Sequence, residues 1–204
     1  MKMWEEACAH AFWAGGAHAV QLHATAHGSE HLLLGLLSTP DPVTDRVLTD
    51  HPELTVEAVR AAIVGSVIDA PRVGHLGVGL DGAPRADQDT PPGPRVTAPD
   101  RMTGELRVAL DDATDKCWHL VKTRQLPGPK PIGVANLWLA VLEPSSRAHR
   151  LLQSLGIDPD ELRVTVLTAM AKFGSTPPAW PTEGQRDRLG RFLAWFLVRL
   201  KIAK

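Results

Sequence analysis

The stretch Gly28-Ser29-Glu30-His31-Leu32-Leu33-Leu34-Gly35-Leu36-Leu37 sets a break and a capping hydroxyl ahead of a run of leucines. Ser29 is a good helix N-cap, and Leu32, Leu33, Leu36 and Leu37 supply an apolar face at helical spacing. Upstream, Trp4, Cys8, Ala11, Phe12, Gly15, Ala19 and Leu22 recur in steps of three and four, the stripe of a preceding helix. Downstream, Asp41-Pro42 reads as a cap followed by proline at the first helical position. Thr55, followed by Val56, Val59, Ile63 and Val67, opens a fourth helix. No segment reads as a strand.

Between residues 70 and 101 the periodicity stops, with six prolines and five glycines in 32 residues. A structureless stretch of that length is expected to join two units rather than to close one. Beyond it the same order of elements returns. Thr103 opens a long helix through Leu106, Leu110, Cys117 and Leu120. Gly133-Val134-Ala135-Asn136-Leu137-Trp138-Leu139-Ala140-Val141-Leu142 then repeats the hydrophobic pattern of 28–37 at an offset of 105 positions. Asp158-Pro159-Asp160-Glu161 has the form of a capping box ahead of the last helix of this copy. The chain reads as an internal duplication of a four-helix unit.

The composition fits a binding or structural protein better than a nucleic-acid handler. Among 204 residues there are 22 Lys and Arg against 23 Asp and Glu, a formal charge of −1. No basic excess is present to hold phosphates. Aromatics are 5% with no Tyr, too few for a base-stacking platform. Two cysteines, Cys8 and Cys117, make no disulfide framework and no zinc spacing, so a reducing compartment is expected. Acidic residues in the first six positions argue against an export signal, and no apolar run approaches the ~20 residues of a transmembrane helix. The expectation is a cytoplasmic protein without a cofactor.

The stretch 28–37 closely resembles the signature Gly-Thr-Glu-His-[Leu/Ile]-Leu-Leu-Gly-Leu of the Clp N-terminal repeat domain, which precedes the ATPase rings of Clp-type unfoldases. The resemblance covers residues 4–172, and the second copy is diverged, with Val134-Ala135-Asn136 where the family has Thr-Glu-His. It implies an all-α protein of two four-helix repeats, at 1–69 and 102–173, joined by a linker at 70–101. Residues 174–204 would add a proline-rich spacer and an amphipathic helix carrying Leu189, Phe192, Leu193, Phe196 and Leu200 on one side. No Gly-x-x-x-x-Gly-Lys-[Ser/Thr] loop occurs, so the chain holds no motor of that type.

The resemblance further implies a non-enzymatic module that binds a Clp-type ATPase or its protein substrates, with phosphoarginine or cyclic peptides as further ligand classes. In family members with phosphoarginine sites, the Glu of the signature pairs with the guanidinium while hydroxyl and amide groups take the phosphate. Ser29 and Glu30 match those positions, although both also serve as ordinary helix-capping residues. Glu5 falls where the family has a Thr facing the same pocket, and its carboxylate would repel phosphate. Ala135 removes the guanidinium partner from the second copy. Trp4 and Met102 match the aromatic positions that line the groove between repeats, and both also suit plain core.

Two alternatives come from other classes. His18, His23, His27 and His31 invite a metal-dependent hydrolase, against which stands the helix break at His27-Gly28-Ser29. No nucleophile elbow and no His-Glu-x-x-His pattern occurs. The other alternative is a self-associating module, a homodimer formed through the C-terminal helix.

Overall fold

A computed structural model describes residues 5–69, 102–127, 133–171 and 176–181. The linker expected at 70–101, Trp4, and the helix expected beyond residue 181 lie outside the described residues. Eight helices are described: α1 (Glu6–Gln21), α2 (Ser29–Leu37), α3 (Pro42–Asp50), α4 (Val56–Asp69), α5 (Gly104–Lys122), α6 (Val134–Val141), α7 (Arg147–Ser154) and α8 (Pro159–Met170). The architecture is all-α, with the four-helix order occurring twice and no strand among the described residues.

Local chemistry sets the helix starts. Asp41 Oδ1 accepts from Val43 N at 2.8 Å, with Pro42 behind it, to open α3. Thr103 Oγ1 accepts from Leu106 N to open α5, and Ser146 Oγ accepts from His149 N to open α7. The α2 start differs from the sequence expectation. Gly28, not Ser29, is the N-cap; its N–H donates to His31 Nδ1 at 3.1 Å while its carbonyl accepts from His31 N. Asn136 Oδ1 does the same for Gly133 N at the start of α6. The third helical residue thus satisfies the cap amide in both copies, by imidazole in one and carboxamide in the other.

The two copies share one core. Leu32, Leu33, Leu34 and Leu36 from α2 are fully buried with Leu137, Trp138 and Leu139 from α6 in a single cluster. Trp138 Nε1 crosses from one half to the other to donate to Thr44 Oγ1 on α3 at 3.1 Å. Thr103 N donates to the carbonyl of His27 at 2.9 Å, tying the residue that caps α5 to the one just ahead of α2. Within this shared core α2 and α6 form the common centre, and α3 packs on α8 as α4 packs on α7.

The halves differ inside this plan. Helices α1 and α2 meet backbone to backbone, because a Cβ on Gly35 would strike the Ala11 carbonyl oxygen and come within 2.5 Å of Gly15 N. The matching residues between α5 and α6 are Ala113 and Ala140, both buried. His18 Nε2 meets Ser38 Oγ at 3.0 Å across α1 and α2. At the matching place between α5 and α6, Lys116 Nζ donates to both oxygens of Glu143, at 2.9 and 2.7 Å, with both side chains almost wholly buried. Trp180, from the short described segment at 176–181, donates Nε1 to Glu143 Oε1 at 3.1 Å and lays its ring near the ammonium of Lys116.

Candidate functional site

The two copies cross over, so that each helix N-terminus at the centre is completed by residues of the other half. At the start of α2, Ser29 Oγ donates to Glu105 Oε1 of α5 at 2.6 Å and accepts from Ala148 N of α7 at 3.1 Å. Glu105 Oε1 also accepts from Arg147 N at 2.6 Å, so an acid and a hydroxyl together satisfy the first amides of α7. The carboxylate of Glu30 folds back over Gly28, where a Cβ would lie 2.5 Å from Glu30 Oε2. The guanidinium of Arg147 reaches Glu30 Oε1 at 3.5 Å. The chain fills this end with its own carboxylates and its own arginine.

At the start of α6 the corresponding places are taken by other residues. Ala135 stands where Glu30 stands, yet a carboxylate still lies over the glycine: a Cβ on Gly133 would meet Glu5 Oε2 at 2.5 Å. Asp41, the N-cap of α3, stands where Ser146 caps α7, and Pro42 stands where Arg147 stands. A cavity of about 200 Å³ opens here, with Glu5 and Asp41 among its lining residues. Val43, Val121, Leu126, Met170 and the half-exposed Trp118 form its apolar wall. Among the described residues no Lys or Arg lines it.

The residues expected to act together are thus only partly brought together. Ser29 and Glu30 share the α2 end. Glu5 belongs to the α6 end instead, because the N-terminus of the first helix of each copy reaches the start of the second helix of the other; Thr103 occupies the α2-side position expected for Glu5. Met102 is partly buried against the core beside His27, and Trp4 lies outside the described residues. Glu105, Arg147 and Asp41 were not anticipated. Their only sequence signal is placement within a residue or two of a helix start, which does not reveal the partner across the duplication.

The histidines do not converge. His18 sits between Ser38 and Arg60, and burial together with the Arg60 charge lowers its pKa. His23 occupies the left-handed turn after α1 with φ 54°. His27 is buried edge-on against Phe12, and desolvation, aided by His31, pushes its pKa down to about 4. His31 Nδ1 accepts the Gly28 N–H, so its 3.6 Å approach to Glu30 is not a pairing of opposite charges; burial also lowers its pKa. No group of three or more His, Cys, Asp or Glu among the described residues is placed to share a metal ion. Burial, reinforced by nearby carboxylates, pushes the thiols of Cys8 and Cys117 up to about 12, leaving both as protonated core groups.

No family model and no curated protein matches the sequence. Among solved structures, the chain is similar to the N-terminal domain of the caseinolytic protease associated chaperone ClpD from Arabidopsis thaliana. The match has a TM-score of 0.51 at 16% identity and covers 82% of this chain and 94% of that one. The fold is that of a Clp N-terminal domain. No described helix is long and apolar enough to cross a membrane.

Proposed function

We propose that the protein is a non-enzymatic recognition module that captures a segment of a protein in connection with Clp-dependent proteolysis, as an adaptor, competitor or sequestering partner. The observation that carries this reading is the unequal filling of the two helix ends in a Clp-type fold. The α2 end is closed by Ser29, Glu30, Glu105 and Arg147, whereas the α6 end presents an open cavity with an apolar wall. Its volume of about 200 Å³ is below the ~300–1,000 Å³ of small-molecule sites, so it suits one long side chain of a polypeptide. Ser29, whose hydroxyl is engaged on both sides, and Glu30, whose Oε1 lies 3.5 Å from the Arg147 guanidinium, support the reading that the α2 end holds the halves together.

The test is reconstitution of the full chain with a Clp-type unfoldase, its peptidase and a protein substrate. Adding the chain is expected to change the degradation rate of the substrate, while the chain alone hydrolyses neither nucleotide nor peptide. An unchanged rate, with no association between the chain and either the unfoldase or the substrate, would remove the proposal.

A further inference from the structure

We propose that the buried Lys116–Glu143 pair is the floor of a peptide-binding site selective for tryptophan followed by proline, which the chain fills with its own Trp180 and Pro181. The site lies at the opposite end of α6 from the cavity and goes beyond the reading above.

The segment sits on the helices in the manner of a bound linear peptide. Residues 176–181 form neither helix nor strand; Thr176 and Ala179 are exposed and Pro181 is buried. Trp180 packs against the core cluster. Two side chains therefore fix the segment in place. Prolines at 177, 178 and 181 restrict the backbone in advance, which lowers the entropy lost on docking. Pro181 has no N–H to leave unsatisfied when it is buried.

The floor matches one side-chain type. Glu143 Oε1 accepts from Lys116 Nζ at 2.9 Å and from Trp180 Nε1 at 3.1 Å, while Lys116 Nζ lies 5.4 Å from the centre of the indole ring. A single indole thus answers both charges, the carboxylate with its N–H and the ammonium with its π-face. Phenylalanine offers the face alone, and an aliphatic side chain offers neither.

The other half shows that the fold does not need such a pair. At the matching place α1 and α2 are joined by the exposed contact of His18 with Ser38. Lys116 and Glu143 are withdrawn from water at a desolvation cost, and a buried ion pair adds little stability over apolar residues of the same volume. Recognition of an indole accounts for keeping both charges there. A partner polypeptide that presents the same element would have to displace segment 176–181 first.

The test uses the full chain with Trp180→Ala, which empties the seat, and a labelled, end-blocked peptide with the sequence of 176–181, Thr-Pro-Pro-Ala-Trp-Pro. Fluorescence anisotropy is expected to show saturable binding to the variant at or below about 1 mM peptide. Binding to the unchanged chain should be weaker by about tenfold or more, since its own segment competes at a high effective concentration. A peptide with phenylalanine in place of the tryptophan should bind the variant about tenfold more weakly. Adding Lys116→Met and Glu143→Leu to Trp180→Ala should remove that preference. Trp180→Phe, which keeps a ring in the seat and lacks the N–H, provides a milder variant, from which the tryptophan peptide should displace the segment more readily than from the unchanged chain. Equal binding of the tryptophan and phenylalanine peptides, or no binding to either single variant at about 1 mM, would overturn the inference. Neither result bears on capture at the cavity, which the degradation rate reads separately.

Discussion

The starts of α2 and α6 are the same local structure put to two ends. Both have a glycine cap, a third residue that satisfies the cap amide, and a carboxylate folded over the glycine. At α2 the surrounding positions carry Glu105 and Arg147, and the charges close on one another. At α6 Pro42 stands in the place of Arg147 and Asp41 in the place of Ser146, and a cavity with two carboxylates and an apolar wall is left open. Duplication supplied two equivalent frames, and a few side chains decided which is closed and which is left open. The difference also runs through the scaffold: α1 and α2 meet through glycines and a His18–Ser38 contact, while α5 and α6 meet through alanines and a buried Lys116–Glu143 pair.

The largest effect that separates the halves is expected at that buried pair. Glu143→Ala leaves the ammonium of Lys116 uncompensated and also strips Trp180 of its acceptor, at a cost of about 3–5 kcal/mol. Ser38→Ala at the matching place should cost only about 0.5–1.5 kcal/mol, the worth of one ordinary hydrogen bond. Denaturant unfolding of both variants checks the contrast, and comparable losses would break it.

Acid should act next, through the α2 side. His27 is buried neutral with a pKa of about 4, so the unfolded chain, with its ordinary value near 6.5, binds more protons between those values. Stability is then expected to fall as pH drops from about 6.5 toward 4, by on the order of 3 kcal/mol. His27→Leu should flatten that slope when unfolding is followed across the same window. A slope unchanged by the substitution would assign the acid sensitivity to other groups.

Gly35→Ala probes the close approach of α1 and α2. The added Cβ would meet the Ala11 carbonyl oxygen, forcing the helices apart at a cost of about 1–3 kcal/mol. The reverse change at the matching position, Ala140→Gly, should cost about 1 kcal/mol through helix propensity and lost contact. Thermal melts of the two variants would show whether the first half is the more tightly spaced.

The smallest effect on stability, and the sharpest on the comparison, belongs to Arg147→Ala. The arginine is more than half exposed, so its loss should cost no more than about 1 kcal/mol. It would nevertheless strip the largely buried Glu30 of its guanidinium, turning the α2 end toward the state of the α6 end. Denaturant unfolding of Arg147→Ala checks that bound, and a larger loss would show that the pair with Glu30 holds the two halves together.

Much of the scaffold was legible in the sequence because its signals are local. The leucine spacing of 32–37, the Asp41-Pro42 and Thr103 starts and the 105-residue echo at Gly133 each depend on neighbours a few positions away. The candidate site was legible only in pieces, because its geometry depends on which copy's helix faces which. Glu30 stands in the family signature and lies at the α2 start. Glu5 lies at the α6 end and not beside Glu30, since the N-termini of the first helices meet the other copy, which a repeat read along the chain does not show. Asp41 and Arg147 resemble any other residue at a helix start until the opposite half is placed beside them.

That crosswise pairing has a consequence for how the chain can be divided. Each copy supplies one wall of both helix ends, and Thr103 N on the carbonyl of His27 fastens the start of α5 to the start of α2. A fragment holding only α1–α4, or only α5–α8, would therefore lose one side of both helix ends at once and leave the leucine faces of α2 or α6 bare. Mixed together, the two fragments carry complementary surfaces, and reconstitution of a bimolecular version of the protein is the natural outcome.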